Sequence, residues 1–468
     1  MLFAINASSL ARQLKTSSTQ EVIKDLITLT TESLATLGVT YRERIFTPFV
    51  TLYLLLSQVF NDDSTCRRAV LELSNIRKAG RKKPCSTATG SFCKAKKRLS
   101  LAVIQALVRH LAARLTAKDE KAWAHGRVFV VDGTCFSMPD TKANAAAFVR
   151  NGTANHKNIK KRKSGRDIVA FPVGRILGFF SLTTGAVIDI ALSTWKGKGT
   201  GEQSLLQELW TNVKKDDTLL GDAVFSSFFI FASALKRNCH VVSELRKSSH
   251  HRLKSKLNDQ IIKITKPKYV SSCSVSKDDY DSMVEEITLR VVKVTCAPAG
   301  FRPKTKFVIT THLDKNVVTA EELSDLYRNR WQVELNFRSI KTVLGMDIVR
   351  GKSPDMVRKE VWIHMLAYNL IRQKMIEVAL KKKQSVASVS FRATQQAMAI
   401  ARLLRACGVK INDSDLTAGL LSEQVGGRPN RYEPRAIKRR QKGYKLLTES
   451  RKVAKTKLHK KYKKRKQP

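Results

Sequence analysis

Residues 327–341 read YRNRWQVELNFRSIK. On a helix turning about 100° per residue, Tyr327, Arg330, Glu334 and Lys341 share an arc of roughly 60°. Leu326, Val333, Phe337, Ile340 and Leu344 form a separate apolar stripe, so the spacing predicts one helix with a core face beside a polar face. Surface ion pairing explains Arg330 and Glu334, an i,i+4 pair. It does not explain Tyr327 and Lys341 on the same line. Phosphoryl transfer on nucleic acid explains more of the face. Such chemistry uses hard divalent cations held by carboxylates, with side-chain cations holding the phosphates. Glu334 would then be a metal ligand, and Arg330 and Lys341 phosphate contacts. One glutamate does not suffice for two ions, so further carboxylates must come from elsewhere.

Two aspartates qualify. Asp132 follows the apolar run VFVV and precedes Gly133-Thr134; Asp222 follows TLLG and precedes AVF. Both close short predicted strands, and ligand sites in open α/β sheets favour strand ends. Asp-Gly is also an ordinary turn dipeptide, which would account for Asp132 taken alone. Other features carry less. His250-His251 falls in a basic segment and reads as a solvated loop. Gly197, Gly199 and Gly201 in WKGKGTGEQ suggest a phosphate loop, but the Walker spacing is absent.

The elements that must position these residues differ along the chain. FTPFVTLYLLLSQVF predicts a helix capped by Thr47 with Pro48 at its first position. A second helix follows with Ser64 as its cap, and Ser91 caps a long one, FCKAKKRLSLAVIQALVRHLAARL. With a basic connector between them, these read either as a small DNA-binding domain or as a plain helical bundle. Arg67, Arg68, Lys94, Lys96, Lys97 and Arg98 would grip DNA in the first case and be solvated in the second. From Arg127 the order becomes three strands, helix, strand, helix, strand, with a Thr184-Gly185 turn, which predicts an α/β sheet covered by helices. QIIKITKPKYV and EEITLRVVKVTC alternate apolar and polar residues and predict a β-rich insertion. KFVITTHLD returns to the sheet; helices follow, one starting at Ser353-Pro354 and one ended by Gly408. The boundaries are 1–122 helical, 123–246 core, 247–306 insertion, 307–425 core and helices, and 426–468 a basic tail expected to be disordered when free.

The chain has 468 residues, with 86 Lys and Arg against 39 Asp and Glu, a net charge of +47. Such a surface repels itself and needs a polyanion, nucleic acid first. The run FVTLYLLLSQVF is too short to span a membrane, and the first residues do not read as a signal peptide, so a cytoplasmic, nucleoid-associated protein is expected. The 8 cysteines show no C-x-x-C spacing, which argues against structural zinc and a disulfide framework.

The sequence resembles the DDE transposases of the bacterial insertion-sequence 4 family. Their signature Y-x2-R-x3-E-x6-K is matched by Tyr327, Arg330, Glu334 and Lys341, with Trp331 after the arginine. VDGT resembles the region of their first aspartate and GDAVF that of the second. The similarity runs from about residue 40 to about 410, excluding the basic tail. The resemblance implies a ribonuclease H-like core and cut-and-paste transposition at terminal inverted repeats. It implies that Asp132, Asp222 and Glu334 are ligands to Mg²⁺ or Mn²⁺. Tyr327, Arg330, Lys341 and Trp331 would contact DNA near the cleavage site. The partners implied are double-stranded DNA of the transposon ends and target, and a second copy of the chain, since pairing two ends needs two active sites. A hairpin intermediate is left open. The rival reading is an inactive descendant that binds DNA as a repressor; a nuclease is a third. Three separated carboxylates favour an enzyme, because a binding protein has no use for them.

Overall fold

A computed structural model describes residues 44–116, 123–149, 171–253, 258–270, 274–296, 304–381 and 383–412, with scattered positions beyond. The first 43 residues of the expected helical region and most of the basic tail lie outside the described residues. Within the tail, residues 453–457 are helical; the run VAKTK contains alanine and two lysines, good helix formers.

Four helices come first: α1 (Pro48–Phe60), α2 (Cys66–Ala79), α3 (Gly90–Arg98) and α4 (Leu101–Leu115). β1 (Val128–Ser137), α5 (Lys142–Ala147), β2 (Val173–Ser181), β3 (Val187–Thr194), α6 (Glu202–Leu209), β4 (Thr218–Gly221), α7 (Phe228–Leu235) and β5 (His240–Glu244) follow. Then come β6 (Asp259–Thr265), α8 (Lys277–Asp281), β7 (Glu286–Cys296) and β8 (Lys304–Thr310). The last helices are α9 (Ala320–Asn329), α10 (Gln332–Arg338), α11 (Pro354–Lys381) and α12 (Phe391–Ala406).

The strands form one sheet of order β3-β2-β1-β4-β5-β8-β7-β6. β1, β2 and β3 are an antiparallel meander, while β4 and β5 run parallel to β1. This order and direction over the first five strands is the expected ribonuclease H-like arrangement. The insertion is not a separate unit: β7 pairs with β8 along its length, so β7 and β6 extend the same sheet. Its apolar positions explain this, since Leu289 and Val291 complete the core begun by Val241 and Ile309.

Successive strand residues face opposite sides. Val128, Val130, Leu220, Val242 and Val308 pack under α4, α9, α10 and α11. Phe129, Val131, Leu219, Val241 and Ile309 pack under α6 and α7. The result is three layers. α11 is buried nearly all round and also clamps the β2–β3 turn. The Asn369 amide donates to the Val187 carbonyl (2.8 Å) and accepts from its N–H (2.9 Å), and the Tyr368 hydroxyl donates to the Gly185 carbonyl (2.8 Å).

Local chemistry accounts for the helix ends. Thr47 caps α1, accepting from the Val50 N–H, with Pro48 first in the helix. Gly408, at φ 87°, follows the end of α12 as expected. Several boundaries differ from the sequence expectation. β1 does not end at Asp132-Gly133 but runs on to Ser137, paired with β2 throughout. Thr65, not Ser64, caps α2, because Asp63 Oδ1 accepts from the Thr65 N–H (2.9 Å) and carries the turn one residue further. The long helix expected from Ser91 is two helices, α3 and α4, with Ser100 extended between them, and Ser91 does not cap it: α3 starts at Gly90 after Thr89, one residue before Ser91. α4 buries a continuous stripe from Val103 to Leu115 against the main core, whereas α3 buries Phe92 in a satellite cluster with Leu54, Val70 and Leu73. One straight helix cannot serve both.

Candidate active site

Asp132 lies in β1 opposite Gly178 of β2. β4 stays in register with β1 only as far as Val130↔Leu220, so Asp132 and Asp222 are the next same-face positions where the two strands part. They are on neighbouring strands and on the face covered by α9 and α10. Asp222 Oδ1 accepts from the Val224 N–H (2.8 Å), capping a single 3₁₀ turn that turns the chain away from the sheet. Asp132 Oδ1 accepts from the Gly133 N–H (2.8 Å). Burial pushes the Asp132 carboxyl up to about 6, helped by the nearby charges of Asp222 and Glu202 and opposed by the Gly133 N–H and Arg330.

The single helix expected from Tyr327 to Lys341 is three pieces. α9 ends at Asn329, and the N–H groups of Arg330, Val333 and Glu334 donate three residues back, to Tyr327, Arg330 and Trp331. α10 then leads into a π-helical segment, Ser339–Val343. Tight winding at the join and loose winding in the π segment offset each other in phase. Arg330, Glu334 and Lys341 therefore still share one side. Arg330 Nη2 donates to Glu334 Oε1 (2.8 Å), and Lys341 Nζ donates to Thr134 Oγ1 (3.2 Å), two residues along β1 from Asp132. The stripe of Leu326, Val333, Phe337, Ile340 and Leu344 is buried as expected.

Tyr327 departs from its expected place. It is 3% exposed rather than on the polar face, and its hydroxyl donates to Glu244 Oε2 (2.8 Å). Trp331 is 53% exposed beside the site. In α2 and α3, Arg67, Lys94, Lys97 and Arg98 are exposed, whereas Arg68 is paired with Glu72 and Lys96 Nζ lies 3.1 Å from the Cys66 sulfur. His250 is not in a solvated loop: it is half-buried, 5.1 Å from the Phe307 ring centroid. Among the described residues Cys66, Cys85, Cys93, Cys135, Cys239 and Cys407 are free thiols.

Sequence reasoning missed several residues. Gly178 lets α10 lie close to the sheet beside Asp132: a Cβ there would stand 2.8 Å from Phe337 Cζ. A glycine inside the strand RILGFFSL is the signal for such an approach. Glu202, first residue of α6, covers Gly133 so closely that a Cβ on Gly133 would meet Glu202 Oε1 at 2.1 Å. Burial raises the Glu202 carboxyl, as does Asp222, while Arg175 opposes. Glu244 and Lys306 were missed because nothing local marks them; they meet Tyr327 only through the sheet.

Among the described residues, no three carboxylate, imidazole or thiol groups stand close enough to hold an ion as placed. The donor chemistry of Asp132, Asp222 and Glu334 nonetheless fits a hard divalent cation, since all three offer carboxylate oxygens. Arg330 serves as the local counter-charge, bonded to Glu334 and acting on Asp132. Among the described residues no helix is long and apolar enough to cross a membrane.

Comparison with known proteins shows the family to which the chain belongs. Residues 123–370, more than half of the chain, match the family described as the transposase DDE domain. The chain is 26% identical over 264 residues to the transposase InsG for insertion sequence element IS4 of Escherichia coli (strain K12), covering 55% of this chain and 54% of that protein. It is 36% identical over 64 residues to the transposase for insertion sequence element IS421 of Escherichia coli, 14% of this chain and 17% of that one. The chain thus spans about half the length of the first of these relatives. A cryo-EM structure of the piggyBac transposase synaptic complex with hairpin DNA is similar over 91% of this chain and 87% of that one, at TM-score 0.44 and 12% identity.

Proposed function

Because the chain belongs to the transposase DDE domain family, we propose that it is the transposase of an insertion sequence, cutting DNA at the element's terminal repeats and joining the ends to target DNA. The observation that carries this reading is the meeting of distant residues on one sheet face. Asp132 and Asp222 stand where β1 and β4 part, and Arg330 links the Asp132 region to Glu334.

In this reading Asp132, Asp222 and Glu334 hold Mg²⁺ or Mn²⁺. Bound there, the ions would lower the pKa of an attacking water or hydroxyl and neutralise charge on the leaving oxygen. The chain's own cations do the rest. Arg330 and Lys341 hold the scissile strand's phosphates, Trp331 offers an exposed ring beside them, and the exposed Arg67, Lys94, Lys97 and Arg98 grip the duplex further away. Two copies act together, one per transposon end. The test is incubation of the purified chain with labelled DNA carrying the inverted repeats that flank its gene, with Mg²⁺. Cleavage at the repeat ends is expected; intact DNA under conditions where the chain binds it overturns the reading.

Two outcomes follow from individual residues. Lys341→Ala removes one phosphate contact and leaves the carboxylates in place. End binding should weaken severalfold, and the slope of log affinity against log salt should shrink by about 1. Cleavage should return at saturating DNA; a Lys341→Ala chain that binds normally but does not cleave would place Lys341 in the chemistry. Asp132 supplies the second. With its carboxyl raised to about 6, a proton competes with any cation there as the pH falls. Mn²⁺ affinity, read from the paramagnetic resonance of free Mn²⁺, should drop steeply below about pH 6 in wild type. Asp132→Asn should bind weakly at every pH; a flat wild-type profile across that range would remove Asp132 from the ligand set.

A further inference from the structure

We propose that Glu244 is a positioning residue: through the Tyr327 hydroxyl it anchors the α9–α10 junction to the sheet and so sets where Arg330 and Glu334 stand. The inference rests on the function proposed above for that face. It makes Tyr327 a tether rather than a contact to DNA.

The geometry begins with strand alternation. Val242 and Val308 face α9 and α10, so Glu244 and Lys306, two residues along each strand, face the same way. Glu244 is the last residue of β5, next to the end of β4 that carries Asp222. Its Oε2 accepts from the Tyr327 hydroxyl (2.8 Å) and from Lys306 Nζ (2.6 Å). The Lys306 ammonium also lies 5.4 Å from the Tyr327 ring centroid. Glu244, Tyr327 and Lys306 thus close a three-membered cluster across β5, β8 and α9.

The groups facing this cluster keep it charged and protonated as needed. Burial alone would raise the Glu244 carboxyl, but the Lys306 and Tyr327 bonds and the Arg330 charge outweigh it and hold it low. Burial, followed by the Glu244 charge, holds the Tyr327 phenol well above its usual value, so it stays a donor; Asp222 acts the same way and Arg330 opposes.

Position in the chain gives the tether its consequence. Tyr327 is in the last turn of α9, and Arg330 is the residue at which the regular helix stops. Beyond it the backbone bonds that join α9 to α10 among the described residues reach only three residues back, helped by side-chain bonds from Gln332 Nε2 to Asn329 Oδ1 (2.8 Å) and from Arg330 to Glu334. That join is short of the hydrogen bonds that fix a helix axis. A buried side chain bonded to the sheet immediately before it is what defines the direction in which α10 leaves. The Phe337 ring over Gly178 fixes the other end. Glu334 lies between these two anchors. Loosening one lets its carboxylate swing, and misplacement by about 1 Å can slow a reaction about a hundredfold.

The test compares Tyr327→Phe, Glu244→Ala and Glu244→Gln with wild type in the full chain. Amide hydrogen exchange of the segment 327–338 is read without DNA or metal. Single-turnover cleavage and end-binding affinity are read on the same labelled end. Tyr327→Phe and Glu244→Ala should speed exchange in that segment alone and slow cleavage at saturating DNA by about tenfold to a hundredfold. Their affinity for the end and its salt slope should stay within about twofold of wild type. Glu244→Gln keeps an acceptor for the phenol and should recover most of both readouts. The double variant Tyr327→Phe/Glu244→Ala should be no slower than the worse single one, because both cut the same link. Weaker end binding with a normal rate at saturation would make Tyr327 a DNA contact and overturn the tether. Unchanged exchange in segment 327–338 would also overturn it. A wild-type chain that cleaves no DNA refutes the proposed function, and the exchange measurement then decides the tether alone.

Discussion

Glu334→Gln should bind the transposon end as tightly as wild type and cleave it about a hundredfold to a thousandfold more slowly, since cation stabilisation of a phosphoryl transition state contributes several kcal/mol. The substitution preserves the size of the side chain and one acceptor for Arg330, whose Nη2 lies 2.8 Å from Oε1. It removes the charge that a hard divalent cation requires. Glu334 is 57% exposed on its side chain, so the loss should not disturb folding. Binding should survive because the proposed function gives phosphate recognition to Lys341, Arg330 and the exposed lysines and arginines of α2 and α3. Losing one carboxylate from a strongly basic surface would, if anything, tighten it. Three measurements on one preparation separate these effects: end binding with Ca²⁺, cleavage with Mg²⁺, and Mn²⁺ affinity by paramagnetic resonance. Normal cleavage by Glu334→Gln would sink its assignment as a ligand. Lost end binding would mean that the Arg330–Glu334 pair shapes the DNA surface itself.

Glu72→Ala should cost about 3–5 kcal/mol of stability, the usual result of leaving a buried charge without its partner. The Glu72 side chain is 4% exposed. It accepts from Arg402 Nη1 (2.6 Å), Ser57 Oγ (2.6 Å), Arg68 Nη1 (3.2 Å) and the Tyr53 hydroxyl (3.2 Å). One carboxylate thereby ties α1, α2 and α12 together. Removing it strands the Arg402 guanidinium, 15% exposed on its side chain, and a buried phenol. Replacing both partners by apolar residues, Glu72→Leu with Arg402→Met, should recover most of the loss. Equilibrium urea unfolding of the three chains checks this, and a Glu72→Ala loss below about 1 kcal/mol would show the network to be dispensable. The pH dependence has a definite sign. Burial would raise the Glu72 carboxyl, but Arg402, by hydrogen bond and charge, outweighs burial and holds it below 4.5. A depressed carboxylate contributes its full stability above the unfolded value and loses it as the pH falls through the folded one. The advantage of wild type over Glu72→Gln should therefore shrink below pH 4.5 and vanish in stronger acid.

Much of the site could be read from the chain because its signals are local. A carboxylate after an apolar run marked the strand end at Asp222, whereas at Asp132 the strand runs on to Ser137 and only the end of β4 opens the site. The i, i+4 spacing of Arg330 and Glu334 survives the break in the helix, since the two side chains still bond each other. Alternation along β1, β4 and β5 fixed which residues face together, and the three strands, helix, strand, helix, strand order fixed the class of sheet. Long-range geometry was not legible. Neither the break in the helix at Arg330 nor the bond from the Tyr327 hydroxyl to Glu244, 83 positions away, has a local signal. Glu202 approaches Asp132 only because α6 docks over Gly133. The split between α3 and α4 follows from two separate cores that compete for one stretch of chain. The sequence alone therefore determined the chemical groups, most of the faces they occupy (Tyr327 excepted) and the family they belong to, since these depend on residue type and short spacing. That Asp132 and Asp222 stand side by side where β1 and β4 part, and that the Tyr327 hydroxyl bonds Glu244, were decided by the tertiary structure, because those relations cross strands whose pairing no local pattern specifies.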